Sequence, residues 1–119
     1  MAYRIEKVAE DIKHKMNTAM SKDLAEINIG LVTVSKVIVS PDLKNAKIYI
    51  TLLGNKDTNE KCVDKLNFRK KHIRYMLGKQ MSTKYIPDIH FYYDDTLDTA
   101  ERIYRILNEL KKNEDSRPD

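Results

Sequence analysis

The chain has 119 residues, is 41% hydrophobic and 34% charged, and carries a formal net charge of +4, which fits one small α+β domain with a true core and a large wet surface. A single cysteine, Cys62, excludes an intrachain disulfide framework, and no apolar run approaches the ~18 residues of a membrane span. The N-terminal stretch carries Glu6, Glu10 and Asp11 and lacks an apolar h-region, so it reads as neither signal nor transit peptide, and the cytoplasm is the expected compartment.

From Tyr3 to Lys22, apolar residues fall at Ile5, Val8, Ala9, Ile12, Met16, Ala19 and Met20. This is the spacing of one helix face. Leu24 to Gly30 reads as a link, and Leu31 to Ser40 as a strand. Within that strand Val32 and Val34 share one parity while Val37 and Val39 take the other, which predicts a β-bulge at Ser35-Lys36. Ser40-Pro41-Asp42 predicts a turn. Lys44 to Leu53 alternates, with Ala46, Ile48, Ile50 and Leu52 on one side and Lys47, Tyr49 and Thr51 on the other. The two strands should pair as an antiparallel hairpin.

A second helical pattern runs from Asn59 to Ser82, with its stripe at Cys62, Val63, Leu66, Ile73, Met76, Leu77 and Met81. The stripe is interrupted by Arg69 and Lys70, so either the helix bends there or its centre faces solvent. Asp88 to Tyr93 predicts a third strand, with Ile89, Phe91 and Tyr93 on one parity. Leu97 to Lys111 predicts a last amphipathic helix. Residues 113–119 read as a short polar tail, expected to be disordered.

Charge is concentrated rather than spread. Residues 61–84 hold eight Lys and Arg and one acid, a net of +7, whereas the remainder sums to −3. A basic element in a neutral-to-acidic body is the footprint of phosphate binding; the competing account is a solvated helix face. Phe68 and Tyr75 lie two turns apart among Lys61, Lys65, His72 and Lys79, an interleaving of rings and cations that suits unpaired RNA. Alternatively, Phe68 covers a neighbouring loop and Tyr75 is an ordinary half-exposed tyrosine. Catalytic chemistry finds no support. His14, His72 and His90 fall on separate elements, Cys62 sits on a core stripe, and Asp94-Asp95 suits turn and capping roles. No metal or cofactor is expected, and no glycine-rich phosphate loop is present.

Several segments together resemble one family: Gly30-Leu31-Val32-Thr33-Val34, Val39-Ser40-Pro41-Asp42-Leu43, Ala46-Lys47-Ile48-Tyr49-Ile50, His72-Ile73-Arg74 with Leu77-Gly78-Lys79, and Tyr85-Ile86-Pro87-Asp88-Ile89 running into Phe91-Tyr92-Tyr93-Asp94-Asp95. Over residues 3–110 the chain resembles the ribosome-binding factor A family of bacteria. The resemblance implies an α+β, single-domain type II KH-like fold: α-β-β-α-kink-α-β plus a C-terminal helix, with a three-stranded sheet packed on helices. It implies a KH-like ribosome-binding domain over 1–112. It also implies a monomeric, non-enzymatic assembly factor that binds 16S rRNA and free 30S subunits and their precursors. Such a factor supports late maturation and 5′-end processing of the rRNA, notably in the cold. In this family an Ala-x-Gly kink replaces the GxxG loop of ordinary KH domains. Here Arg69-Lys70-Lys71 occupies those positions, with neither the Ala nor the Gly, which puts the kink's geometry in question.

The residues expected to touch RNA are therefore Lys65, Arg69, Lys70, Lys71, Arg74, Lys79 and Lys84, with Arg4, Lys7, Lys47, Phe68 and Tyr75 as weaker candidates. Two other functions compete. One is a general KH-type binder of single-stranded RNA, opposed by the missing GxxG loop. The other is a protein-interaction module that docks a ribosomal protein through the hairpin edge or the last helix.

Overall fold

The change of parity in residues 31–39 is a β-bulge. In the computed structural model, which describes residues 2–83 and 85–115, β1 (Leu31–Val39) pairs antiparallel with β2 (Asn45–Leu53), and the register slips between Val34 and Lys36. Val34 faces Ile50 and Lys36 faces Tyr49, so Ser35 is the extra residue. The slip keeps Val32, Val34 and Val39 buried on one face while Lys36 and Ile38 point to the other. Ser40 and Asn45 close the hairpin, with the Ser40 N–H donating to the Asn45 carbonyl at 2.8 Å.

β3 (Asp88–Tyr93) lies parallel to β2 and completes a sheet of order β1-β2-β3. Four helices accompany it: α1 (Ala2–Ile27), α2 (Asn59–Phe68), α3 (Lys70–Gln80) and α4 (Thr96–Asp115). α1 packs on β1 and α3, and α2 on β3. These helices cover a single face of the sheet, where Ile48, Ile50 and Phe91 are wholly buried with Ile12, Leu66 and Ile73. The opposite face of the sheet remains open. Burial of Ala46, Ile48 and Ile50 matches the parity expected for β2. Cys62, also buried, belongs to this core as expected.

Gly30 starts β1 at φ +94°, and a Cβ there would sit 2.8 Å from the Leu53 carbonyl oxygen. Only glycine suits both the dihedral and the space.

Two boundaries differ from the sequence reading. α1 runs to Ile27 rather than ending at Lys22, because Leu24 and Ile27 continue the apolar stripe of Met20 and pack against the core. α4 continues to Asp115, so residues 113–115 of the expected tail are helical; residues 116–119 lie outside the described residues. The apolar side chains of α4, Leu97, Ile103, Ile106, Leu107 and Leu110, are all at least half exposed.

Candidate nucleic-acid interface

The long basic helix pattern breaks at Arg69. Thr58 caps α2, accepting from the Lys61 N–H at 3.2 Å. The helix ends where Arg69 adopts φ −99° and ψ 6°, its N–H reaching back to the Leu66 carbonyl at 3.0 Å. That conformation belongs to the bridge region, open to any residue. The only described non-glycine residues with positive φ are Asn28 and Leu43. The bend between α2 and α3 therefore needs neither alanine nor glycine, which answers the question raised by Arg69-Lys70-Lys71.

The bend sends the three cations to different places. Lys70 and Lys71, with Arg74 one turn on, line a groove of about 670 Å³ between α3 and β3, which Lys47 enters from β2. Lys70 Nζ stands 3.4 Å from His90 Nδ1. Partial burial, reinforced by Lys70, holds the His90 imidazole below its ordinary pKa. Arg74 is partly engaged. Its Nε donates to the Pro87 carbonyl at 3.1 Å and its Nη2 to the Ile86 carbonyl at 2.6 Å, and Asp88 lies 3.5 Å away. It thereby fixes the segment leading into β3 while keeping an edge on the groove.

β3 is an edge strand, and one side chain governs what that edge offers. The Asp88 and Asp94 amides bond to Lys44 and Ile50, so even-numbered amides face β2 and odd-numbered ones face outward. Asn67, at the end of α2, closes one such outward site. Its Nδ2 donates to the Phe91 carbonyl at 3.0 Å, and the Phe91 N–H donates to its Oδ1 at 2.7 Å. The alternation turns the N–H and C=O of Ile89 to the same side as those of Phe91, but Ile89 is buried, so a ligand in the groove meets chiefly its ammonium and guanidinium groups.

Arg69 turns away from that groove. It pairs with Asp23 at 3.4 Å and, more closely, with Glu26, both on the part of α1 that lies beyond the expected helix end at Lys22. Bonding to Glu26 raises the Arg69 pKa further, with Asp23 adding to it. Asp23 is 1% exposed and also holds His72 Nδ1 at 2.9 Å. A buried carboxylate is costly unless paired, so Arg69 and His72 are what make Asp23 tolerable in the α1–α3 contact. The local sequence offers Arg69 too few acids; α1 supplies them through tertiary packing.

The remaining candidates are dispersed. Lys65 is bonded to Asp57 at 2.7 Å on the outer side of α2, and that bond raises its pKa. Phe68 is 91% exposed and covers no loop, and it lines a hollow with Asp23, Glu26 and Arg69. Tyr75 is exposed on α3, with Lys79 Nζ 4.7 Å from its ring centroid. The bend at Arg69 therefore separates two rings that an unbroken helix would place on one side. Tyr75 and Lys79 share a shallow hollow with Arg74, next to the groove. Arg4 lines a separate cavity of about 810 Å³ beside Lys44 and Arg74, and Lys7 is exposed on α1. Lys84 lies outside the described residues. Asp23, Asn67 and His90 were not singled out from sequence. Among the described residues no His, Cys, Asp and Glu group could hold a metal ion, and no helix is long and apolar enough to cross a membrane.

Comparison with known proteins bears on family and fold. The family model described as ribosome-binding factor A matches residues 4–107. The ribosome-binding factor A of Pelobacter propionicus is 36% identical over 115 residues, spanning 97% of this chain and 94% of that one. A Thermotoga maritima protein solved by NMR as a ribosome binding factor A superposes with a TM-score of 0.54 at 25% identity, covering 77% of this chain and 88% of that chain. The Thermus thermophilus ribosome binding factor A, fitted into a cryo-electron-microscopy map of its complex with the 30S subunit, gives a TM-score of 0.52 at 15% identity, over 71% and 92% of the two chains. That last likeness concerns the fold alone.

Proposed function

This chain belongs to the ribosome-binding factor A family, and we propose that it is a non-enzymatic assembly factor that binds the immature 30S subunit. It contacts 16S rRNA through the α3–β3 groove and acts late, when the 5′ end of the rRNA is processed. It works as a monomer in the cytoplasm. The observation that carries this reading is the convergence of Lys47, Lys70, Lys71 and Arg74 on one groove between α3 and β3. Cations so gathered bind phosphates without regard to sequence. Of the residues expected from sequence, these four and the neighbouring Lys79 and Tyr75 form one continuous surface. Lys65 and Arg69 serve ion pairs within the protein.

Sedimentation through sucrose gradients tests the reading. The protein should travel with free small subunits and their precursors, and an even spread through polysomes would refute it. Binding to small-subunit RNA should also weaken steeply with salt, as expected when several phosphates are neutralised. The exposed apolar stripe of α4 supports a second contact, with a ribosomal protein. Truncating α4 should then reduce 30S association without altering affinity for naked RNA.

A further inference from the structure

The face of the sheet turned away from the helices carries Thr33 and Thr51 at one end and a cluster of rings and lysines at the other. Registers place Lys36, Tyr49 and Tyr92 in one row across the three strands, and Ile38, Lys47 and His90 in the next. The Tyr49 and Tyr92 rings are stacked, centroids 5.5 Å apart at 27°, and His90 lies 4.9 Å from Tyr92 at 50°. Lys36 Nζ is 4.6 Å from the Tyr49 centroid and Lys47 Nζ is 5.9 Å from that of Tyr92. Tyr92 keeps 38% of its surface exposed. Of the acids that border this face, Asp88 lies against Arg74, and Asp94 accepts from Ser35 at 2.6 Å and from Thr96 at 3.0 Å. The face thus sets the ammonium groups of Lys36 and Lys47 beside two stacked rings.

This patch is continuous with the groove. Lys47, His90 and Tyr92 line the groove from β2 and β3 while standing on the open face. We propose that the open face is a base-stacking platform: a single-stranded RNA segment leaving the α3–β3 groove crosses the β3 edge and lays a base on Tyr92. Lys36 and Lys47 hold the flanking phosphates. Tyr49, stacked against Tyr92, holds the platform ring in place. The chemistry favours RNA over a peptide, because ring faces bordered by ammonium groups match a polyanion of stacked bases. The inference rests on the groove reading given above, since the groove delivers the strand.

The chain contains no tryptophan, so Tyr92→Trp makes a single reporter at the platform. The probes are two unstructured oligoribonucleotides, a short one that fills the groove and a longer one that can also reach the sheet. With the longer probe, Tyr92→Leu should bind roughly five- to 150-fold more weakly, the range for one base–aromatic stack. Its salt slope should be unchanged, since no phosphate contact is lost. Because Tyr92 also lines the groove, the short probe should lose distinctly less affinity for Tyr92→Leu than the longer one does; Tyr92→Phe should restore the longer probe's affinity, and Tyr92→Trp emission should be quenched more strongly by the longer probe. Near wild-type affinity for the longer probe in a folded Tyr92→Leu, with unquenched Tyr92→Trp emission, overturns the platform and leaves the groove standing. Loss of 30S association by Tyr92→Leu with intact oligoribonucleotide affinity assigns the face to a protein and also overturns it. If wild type binds neither probe, the groove reading fails, and the platform with it.

Discussion

Asn67→Ala tests how the β3 edge is closed. Asn67 gives the outward groups of Phe91 both a donor, at 3.0 Å, and an acceptor, at 2.7 Å. Phe91 is wholly buried, so truncation strips its amide of a partner in a place that water does not reach. Each lost hydrogen bond is worth about 0.5–1.5 kcal/mol net, and an orphaned buried donor about 1–3 kcal/mol, so a loss of about 2–3 kcal/mol is expected. Urea denaturation gives the free energy, and amide hydrogen exchange at Phe91 localises it. Asn67→Asp separates the two bonds. Its protonated carboxyl can donate to the Phe91 carbonyl, whereas its ionised form repels that oxygen, so its folded pKa should lie above the unfolded value. Measured against wild type, its deficit should therefore shrink as pH falls through the raised folded pKa and be smallest below the unfolded one. If Asn67→Ala lies within 0.5 kcal/mol of wild type and exchange at Phe91 is unchanged, the edge is not held by this side chain.

Three further outcomes are expected. Ile50→Ala, at a wholly buried position on β2, should destabilise by about 2–5 kcal/mol in chemical denaturation, and a loss well under 1 kcal/mol would contradict the assigned core face. Lys70→Gln with Lys71→Gln should weaken binding to small-subunit RNA and flatten the log–log salt slope by about 0.7–0.9 per lost contact; Arg69→Gln should instead lower the melting temperature by leaving buried Asp23 with His72 as its remaining ion-pair partner while leaving affinity in place, and the reverse pattern would exchange their roles. Hydrogen bonds from Ser35 first, and then from Thr96, hold Asp94 at a pKa of about 2, below its ordinary value, so its stabilisation is full above about pH 4 and is lost as pH falls toward 2; Ser35→Ala should raise that pKa in a carboxyl-carbon NMR titration, and no movement would show that Ser35 does not set it.

Much of the fold was legible because side-chain parity and helical spacing are local signals. The bulge followed from Val34 and Val37 sharing a face, and the helix break from cations standing where the stripe called for apolar residues. The end of α1 was harder to see. The helix reading stopped at Lys22 and made Leu24 to Gly30 a link, and only the packing of α3 reveals that Asp23 is an interior partner for Arg69 and His72. The basic groove was half legible. Charge density pointed to the α2–α3 segment, but which cations share a surface depends on the direction of the bend, and no spacing within the segment encodes it. The Tyr49–Tyr92 stack lay wholly beyond reach, because it needs the parallel register of two strands 43 residues apart.

Ser35 could be deleted from β1 without scrambling the strand. Without it, Leu31-Val32-Thr33-Val34 would run directly into Lys36-Val37-Ile38-Val39, an unbroken alternation in which every remaining side chain keeps its present side of the sheet. A gap at position 33 would instead drag Ser35 inward and push Val34 out. The strand thus carries a spare beat, and a relative one residue shorter at this point would spell the same two faces. What it would forfeit lies elsewhere in the chain: the hydroxyl that ties Asp94 to the hairpin, and with it the anchor from which the last helix sets out.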